Sequence, residues 1–154
     1  MSGALLIYGA SGYMGALTAR TAVAAGLSPV LGGRRAEAVA PLAKELGLSM
    51  RVASLHDHTA LAATLDGIDV VLNCAGPFPA TAVAMAEGCI RAGTHPLDLA
   101  GEVPEYEALL ARDADARGAR RSSRTPGEPT RPRPFARRAS RTSRRTRRCR
   151  PRSA

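Results

Sequence analysis

The chain has 154 residues and a formal net charge of +9, enough for one domain of ordinary size. The charge is unevenly spread: residues 1–117 carry 8 Lys+Arg against 12 Asp+Glu, or −4, and residues 118–154 carry 14 Arg against Glu128 alone, or +13. The overall charge therefore says nothing about partners of the mildly acidic head, and the opening "MSGALLIYGASG" has an apolar run too short for a signal sequence or a membrane span.

Residues 4–8, "ALLIY", are an apolar run bounded by glycine, as in a buried parallel strand. Tyr13 to Ala25 reads as an Ala-rich helix with Met14, Leu17 and Thr21 on one face, stopped by Gly26. "SPVLGG" (28–33) is a second strand, and 36–47 a second helix in which Pro41 is tolerable only early or as a kink. "MRVAS" (50–54) is a third strand. Asp57 can cap the helix "HTALAATL", and Asp66–Gly67 turns the chain. "DVVLNCAG" (69–76) is the clearest buried strand, followed by a helix over 80–93 that closes on Gly93. "PLDLAG" (96–101) is a fifth strand, and 104–117 a fifth helix with Pro104 at its first position and acids early. Strand and helix alternate five times, which implies a doubly wound parallel sheet with helices on both faces.

Between the first strand and the first helix lies "GASGYMG". Gly9 permits a tight turn, Gly12 lets backbone approach a pyrophosphate, and Gly15 lets the helix pack close. The N–H groups around Gly12 to Met14 then face the phosphates, aided by the helix dipole, and Ser11 can add a hydroxyl. The context, directly after a strand and before a helix, is that of a dinucleotide-binding loop. An acid at the end of the second strand would hold a ribose 2′-OH, but this chain has "GGRR". Arg34 and Arg35 suit a 2′-phosphate, so NADPH is expected over NADH. At the end of the fourth strand, "NCAGPF" places the small residues Cys74, Ala75 and Gly76 at the ribose–nicotinamide side. Cys74 as a nucleophile is the sharper alternative, but no histidine lies near it in sequence. His56 and Asp57 are candidates for the adenine edge. No acid, base or nucleophile is assigned. His56, His58 and His95 lack a zinc spacing and read as surface residues, and Cys74, Cys89 and Cys149 form no CxxC pair, so no metal site is expected and a reduced, cytoplasmic setting is.

"IYGASGYMG", "GGRR", "NCAGPF" and "GTHPLDLAGE" together resemble the saccharopine dehydrogenase-like oxidoreductases, in the branch that includes bacterial trans-acting enoyl reductases. The resemblance covers residues 4 to about 117. It implies an NADP-binding Rossmann domain followed by a second α+β domain that shapes the substrate site. It carries Gly9, Ser11, Gly12, Tyr13 and Met14 to the phosphates, Arg34 and Arg35 to the 2′-phosphate, and Cys74 to Gly76 to the ribose–nicotinamide end. Two departures stand out. Pro96 replaces the family's usual aromatic residue, which is expected to disturb the fifth strand slightly. After Arg117 the family continues with an apolar strand and a long second domain, and this chain does not.

Residues 118–154 hold 14 Arg, 5 Ser, 5 Pro and 4 Thr and no Leu, Ile, Val or Met, so disorder is expected there. Three readings compete: a basic arm that contacts nucleic acid or acidic surfaces without specificity, an idle linker, or a shifted reading frame. The frame shift is favoured, because Lys44 is the sole lysine and G+C-rich coding read out of frame spells Arg, Pro, Ser and Thr. The expected domains are thus 1–117, binding NADP, and 118–154, a tail. Such a chain would bind cofactor without its substrate domain, its sheet truncated after the fifth strand–helix unit and its last edge exposed. The alternative is a non-enzymatic nucleotide binder with a basic arm.

Overall fold

The computed structural model describes residues 4–101 and 103–122. Of the tail expected to be disordered, 118–154, residues 118–122 are helical, and the rest lies outside the described residues. In chain order the elements are β1 (Leu5–Tyr8), α1 (Tyr13–Ala24), β2 (Val30–Gly33), α2 (Ala36–Leu46), β3 (Met50–Val52), α3 (His58–Leu65), β4 (Val70–Asn73), α4 (Phe78–Ala92), β5 (His95–Asp98), α5 (Val103–Leu110) and α6 (Asp113–Ser122). All strand pairs are parallel and the order is β3-β2-β1-β4-β5. This is the doubly wound parallel sheet that the alternation predicts.

Successive side chains of a strand point to opposite faces, and β1 feeds both cores. Leu6 and Tyr8 pack with Leu61 and Leu65 of α3 and Met85 and Cys89 of α4. Ile7 packs with Ala19 and Ala22 of α1 and Val39, Leu42 and Ala43 of α2. Leu6 and Ile7 are fully buried, and a side chain of that kind contributes about 1.5–3 kcal/mol on burial.

The face of α1 that carries Met14, Leu17 and Thr21 is the solvent face. Its buried residues are Gly15, Ala19 and Ala22, whereas Met14 and Leu17 are 44% and 48% exposed and Thr21 faces solvent, its hydroxyl donating to Leu17 O. The helix lies so close to the β1 loop that only small residues fit beneath it, and the large ones turn outward. Pro41 stays exposed within the second turn of α2. Asp57 caps α3 as expected, its carboxylate accepting from Ala60 N–H at 2.9 Å. Gly47 and Gly93 close α2 and α4 in the left-handed region.

Pro96 does not interrupt β5, where it pairs in register with Val71. His95 N–H donates to Asp69 O at 2.9 Å. The next nitrogen, that of Pro96, therefore faces the outer edge, where a missing N–H costs no ladder bond. The expected single helix over 104–117 is two. Arg112 N–H closes α5 on Leu109 O at 3.1 Å, and its guanidinium takes the Ala108 carbonyl and Glu87 of α4. Arg112 O then accepts from Ala116 N–H, and α6 starts with Asp113 and Asp115 in its first turn, where acids favour a helix.

Glu105 sits on the inner side of α5, 6% exposed, and its Oε2 is buried without a hydrogen-bond partner. A buried acceptor left unpaired costs about 1–3 kcal/mol. Glu105→Leu is therefore expected to raise the thermal midpoint by several degrees, read by circular dichroism. An unchanged or lowered midpoint would show that the carboxylate is satisfied in solution.

Candidate cofactor-binding site

The chain runs outward from β1 to β2 and β3, then returns to place β4 on the other side of β1. The order reverses between β1 and β4, and a crevice opens there at the carboxyl ends of the strands. Two segments meet in it: the loop from Gly9 to Gly15 and the turn from Cys74 to Pro77. Gly9 has φ +82, and a Cβ on it would stand 2.6 Å from Ala75 N and 2.8 Å from the Cys74 carbonyl carbon. Gly9 and Ala10 N–H both donate to Gly32 O of β2, at 2.9 and 3.0 Å. A Cβ on Gly15 would run into the Gly9 carbonyl and come within 2.8 Å of Ala10 Cα. Gly9 and Gly15 are thus required by the protein's own backbone.

Gly12 is different. It is exposed, has an ordinary extended backbone (φ −81), and its Cβ would meet nothing nearer than Gly9 O at 3.4 Å. The fold does not demand glycine there, and the space in front of the loop is open. Gly12 N–H already donates to Gly9 O at 3.0 Å, so its contribution to the site is space. As N-cap of α1 it offers no side-chain acceptor, and the first turn holds no acid. The first-turn N–H groups of Tyr13 and Met14 have no partner within the helix, and they carry the positive end of its dipole. Ser11 and Tyr13 flank them, both exposed. The loop can accept an anion.

Arg34 and Arg35 follow β2 at the same edge, both exposed. Arg35 is the N-cap of α2 and lies 3.8 Å from Glu37, each about 72% exposed. An exposed pair at that distance is weak. Among the described residues Arg34 makes no ion pair. Its charge is felt by Tyr8, whose phenol is pushed up by burial and partly brought back by the Arg34 guanidinium. The Tyr8 hydroxyl donates to Ala53 O at 2.7 Å, which ties β1 to the end of β3 beside Arg34.

On the β4 side, Cys74 packs into the core shared by α1 and α2. Burial pushes its thiol up, with a hydrogen bond from Thr18 opposing, the opposite of what a thiolate nucleophile needs. Gly76 is exposed, and the Gly76–Pro77 peptide is cis. The turn is held by two side chains that sequence reasoning passed over. Asn73 Oδ1 accepts Ala75 N–H at 3.1 Å, and the Thr81 hydroxyl donates to Ala75 O at 2.5 Å. Sequence gives no sign of Thr81, because a threonine in an Ala-rich helix start resembles any other helix residue. Of the adenine-edge candidates, Asp57 is engaged as the α3 cap, and His56 is exposed. His58 is exposed too, whereas His95 is half-buried within β5 rather than on the surface. A cavity of about 690 Å³ lies in the outer groove of α3 and α4, lined by Leu61, Asp66, Gly88 and Arg91, and includes none of the glycine-loop residues. Among the described residues no helix is long and apolar enough to cross a membrane.

Comparison with known proteins agrees with this geometry. The family model for the saccharopine dehydrogenase NADP binding domain matches residues 5–125. Saccharopine dehydrogenase of Saccharomyces cerevisiae superposes with a TM-score of 0.64 at 21% identity, covering 74% of this chain and 24% of that one. The triphenylmethane reductase of Citrobacter sp., in complex with NADP(H), gives 0.58 at 18% identity, covering 75% and 46%. An NADPH-dependent quinone oxidoreductase of Escherichia coli, in complex with NADPH, gives 0.59 at 20%, covering 73% and 45%. The chain thus spans about a quarter to a half of the length of these structures, and at such identities they speak for the fold alone. No curated protein sequence matches. With the family model over residues 5–125, the chain belongs to the saccharopine dehydrogenase NADP-binding domain family, and its cofactor is NADP.

Proposed function

We propose that this chain is the cofactor-binding half of an NADP-dependent reductase of the enoyl reductase branch. The full-length relative would transfer hydride to a C=C or C=N bond, and the second domain would choose the substrate. The observation that carries the reading is Gly12: between two glycines that the backbone requires, it is one the backbone does not require, and a pyrophosphate lying against the loop accounts for it. In this reading Gly9, Gly12 and Gly15 shape the loop. Ser11, Tyr13 and Met14 line the phosphates, and Cys74, Ala75 and Gly76 border the ribose–nicotinamide end. Arg34, with no ion pair among the described residues, takes the larger share of the 2′-phosphate, and Arg35, whose pairing with Glu37 is weak, adds to it. When bound, the cofactor supplies the hydride, and the chain's own residues bind and orient it.

The domain boundary belongs to the proposal too. α6 runs through Gly118 to Ser122, and the family match reaches residue 125, which supports a boundary near 125 rather than 117. Exposed apolar side chains at Leu97, Leu99, Val103, Tyr106 and Leu110 support a further domain over β5 and α5 in the full-length relative. A shifted frame remains the favoured account of the Arg-rich segment. It predicts that a one-base shift in the coding DNA, at or shortly after codon 118, opens a long frame that begins with an apolar strand. If neither alternative frame does so, the frame shift is wrong and a basic arm replaces it.

Fluorescence titration of the 154-residue chain tests the cofactor reading. NADPH is expected to bind more tightly than NADH, and equal or tighter NADH binding would overturn it. Arg34→Ala is expected to weaken NADPH by about 10–100-fold, the range for a hydrogen bond to a charged group, and to leave NADH nearly unchanged. Arg35→Ala is expected to cost less. Gly12→Val is expected to abolish NADPH binding with little change in the melting temperature, whereas Gly15→Val is expected to lose both.

A further inference from the structure

Ala75 stands at the centre of the β4 turn, and both polar groups of its backbone are engaged by side chains. Its N–H is taken by Asn73 Oδ1 at 3.1 Å and its carbonyl by the Thr81 hydroxyl at 2.5 Å. The two side chains are themselves linked, Asn73 Nδ2 donating to Thr81 Oγ1 at 3.4 Å. A threonine hydroxyl has one proton and two acceptor sites. The short bond to Ala75 O takes that proton, and the Pro77 carbonyl at 3.3 Å is left as the weaker alternative. Asn73 is 1% exposed, so its amide cannot exchange these partners for water. The network spans the end of β4, the turn and the first turn of α4, and it holds the turn against Gly9, whose hydrogen would be replaced by a clash with Ala75 N if a Cβ were added.

We infer that Thr81, through Asn73, is the positioning residue of the nicotinamide half of the site. It fixes the turn so that Gly76, exposed and next along the chain, is the residue presented to the crevice. Thr81 itself touches no cofactor. This rests on the proposed assignment of Cys74 to Gly76 to the ribose–nicotinamide end. The adenine half, built on Arg34 and the glycine loop, stands on other elements, so the two halves of the cofactor should respond separately to a change at Thr81. Removal of the hydroxyl leaves Ala75 O and the buried Asn73 amide without their partner, and the turn is free to reorient.

The test is a pair of titrations on the 154-residue chain, one with NADPH and one with adenosine 2′,5′-bisphosphate, which lacks the nicotinamide half. Thr81→Val is expected to weaken NADPH by about tenfold and leave the bisphosphate within twofold. Thr81→Ser, which keeps the hydroxyl, is expected to restore NADPH binding. A Thr81→Val chain that loses both ligands equally while keeping its melting temperature, or loses neither, overturns the inference and leaves the cofactor reading intact. If Thr81→Val unfolds the chain, Thr81→Ala, which removes the hydroxyl without adding bulk, is judged by the same criteria. A wild-type chain that does not bind NADPH overturns the cofactor reading and this inference with it.

Discussion

The structure turns on one close approach of backbone to backbone. Where β1 ends, the Gly9 peptide is wedged between the β4 turn at Cys74–Ala75 and the start of α1 at Gly15, and its N–H hangs from Gly32 of β2. Any side chain at Gly9 or Gly15 would force these apart. Because they cannot separate, the helix start is held over the crevice with its first-turn N–H groups pointing outward. The site is thus a by-product of packing: the sheet's crossover between β1 and β4 creates the crevice, and the glycines bring a helix dipole to its floor.

That approach also dictates the composition of α1. A helix drawn this close can bury only Gly15, Ala19 and Ala22, so its larger residues have no core to enter. The usual inference that the larger apolar residues mark the buried face fails here for a definite reason. On the opposite face of the sheet the spacing is ordinary, and Leu61, Leu65 and Met85 fill it in the expected way. Gly88 repeats the device in milder form, since a Cβ there would press on Leu61 Cδ2 at 2.6 Å, a flexible end that can shift.

The fold was legible because it is written in local signals. Apolar runs of four or five residues, helices closed by Gly47 and Gly93, and the Asp57 cap each need only their neighbours in sequence to be recognised. The glycine loop was legible for the same reason. What sequence could not show is what distant segments do to each other. Nothing in "GTHPLD" reveals that the Pro96 nitrogen faces an open edge, since that depends on which way His95 donates. Nothing in "EALLARDADAR" reveals that Arg112 will reach back to Glu87 and end the helix there. Asn73 reads as the polar end of a strand and Thr81 as a helix residue, and only the fold brings them together around Ala75.

The change of composition after Arg117 does not interrupt the helix in which it falls. A helix answers to its own hydrogen bonds and to charges one turn apart. α6 carries Asp113 and Asp115 at its positive end, and Arg117 pairs with Asp113 at 2.5 Å across one turn. That pair holds the Asp113 carboxyl below its ordinary value. Gly118 costs such a helix about 1 kcal/mol relative to alanine, which is not enough to stop it. A helix already nucleated through its acidic first turn therefore carries on through Gly118 to Ser122. The physics that builds the last helix does not register where the charge changes sign.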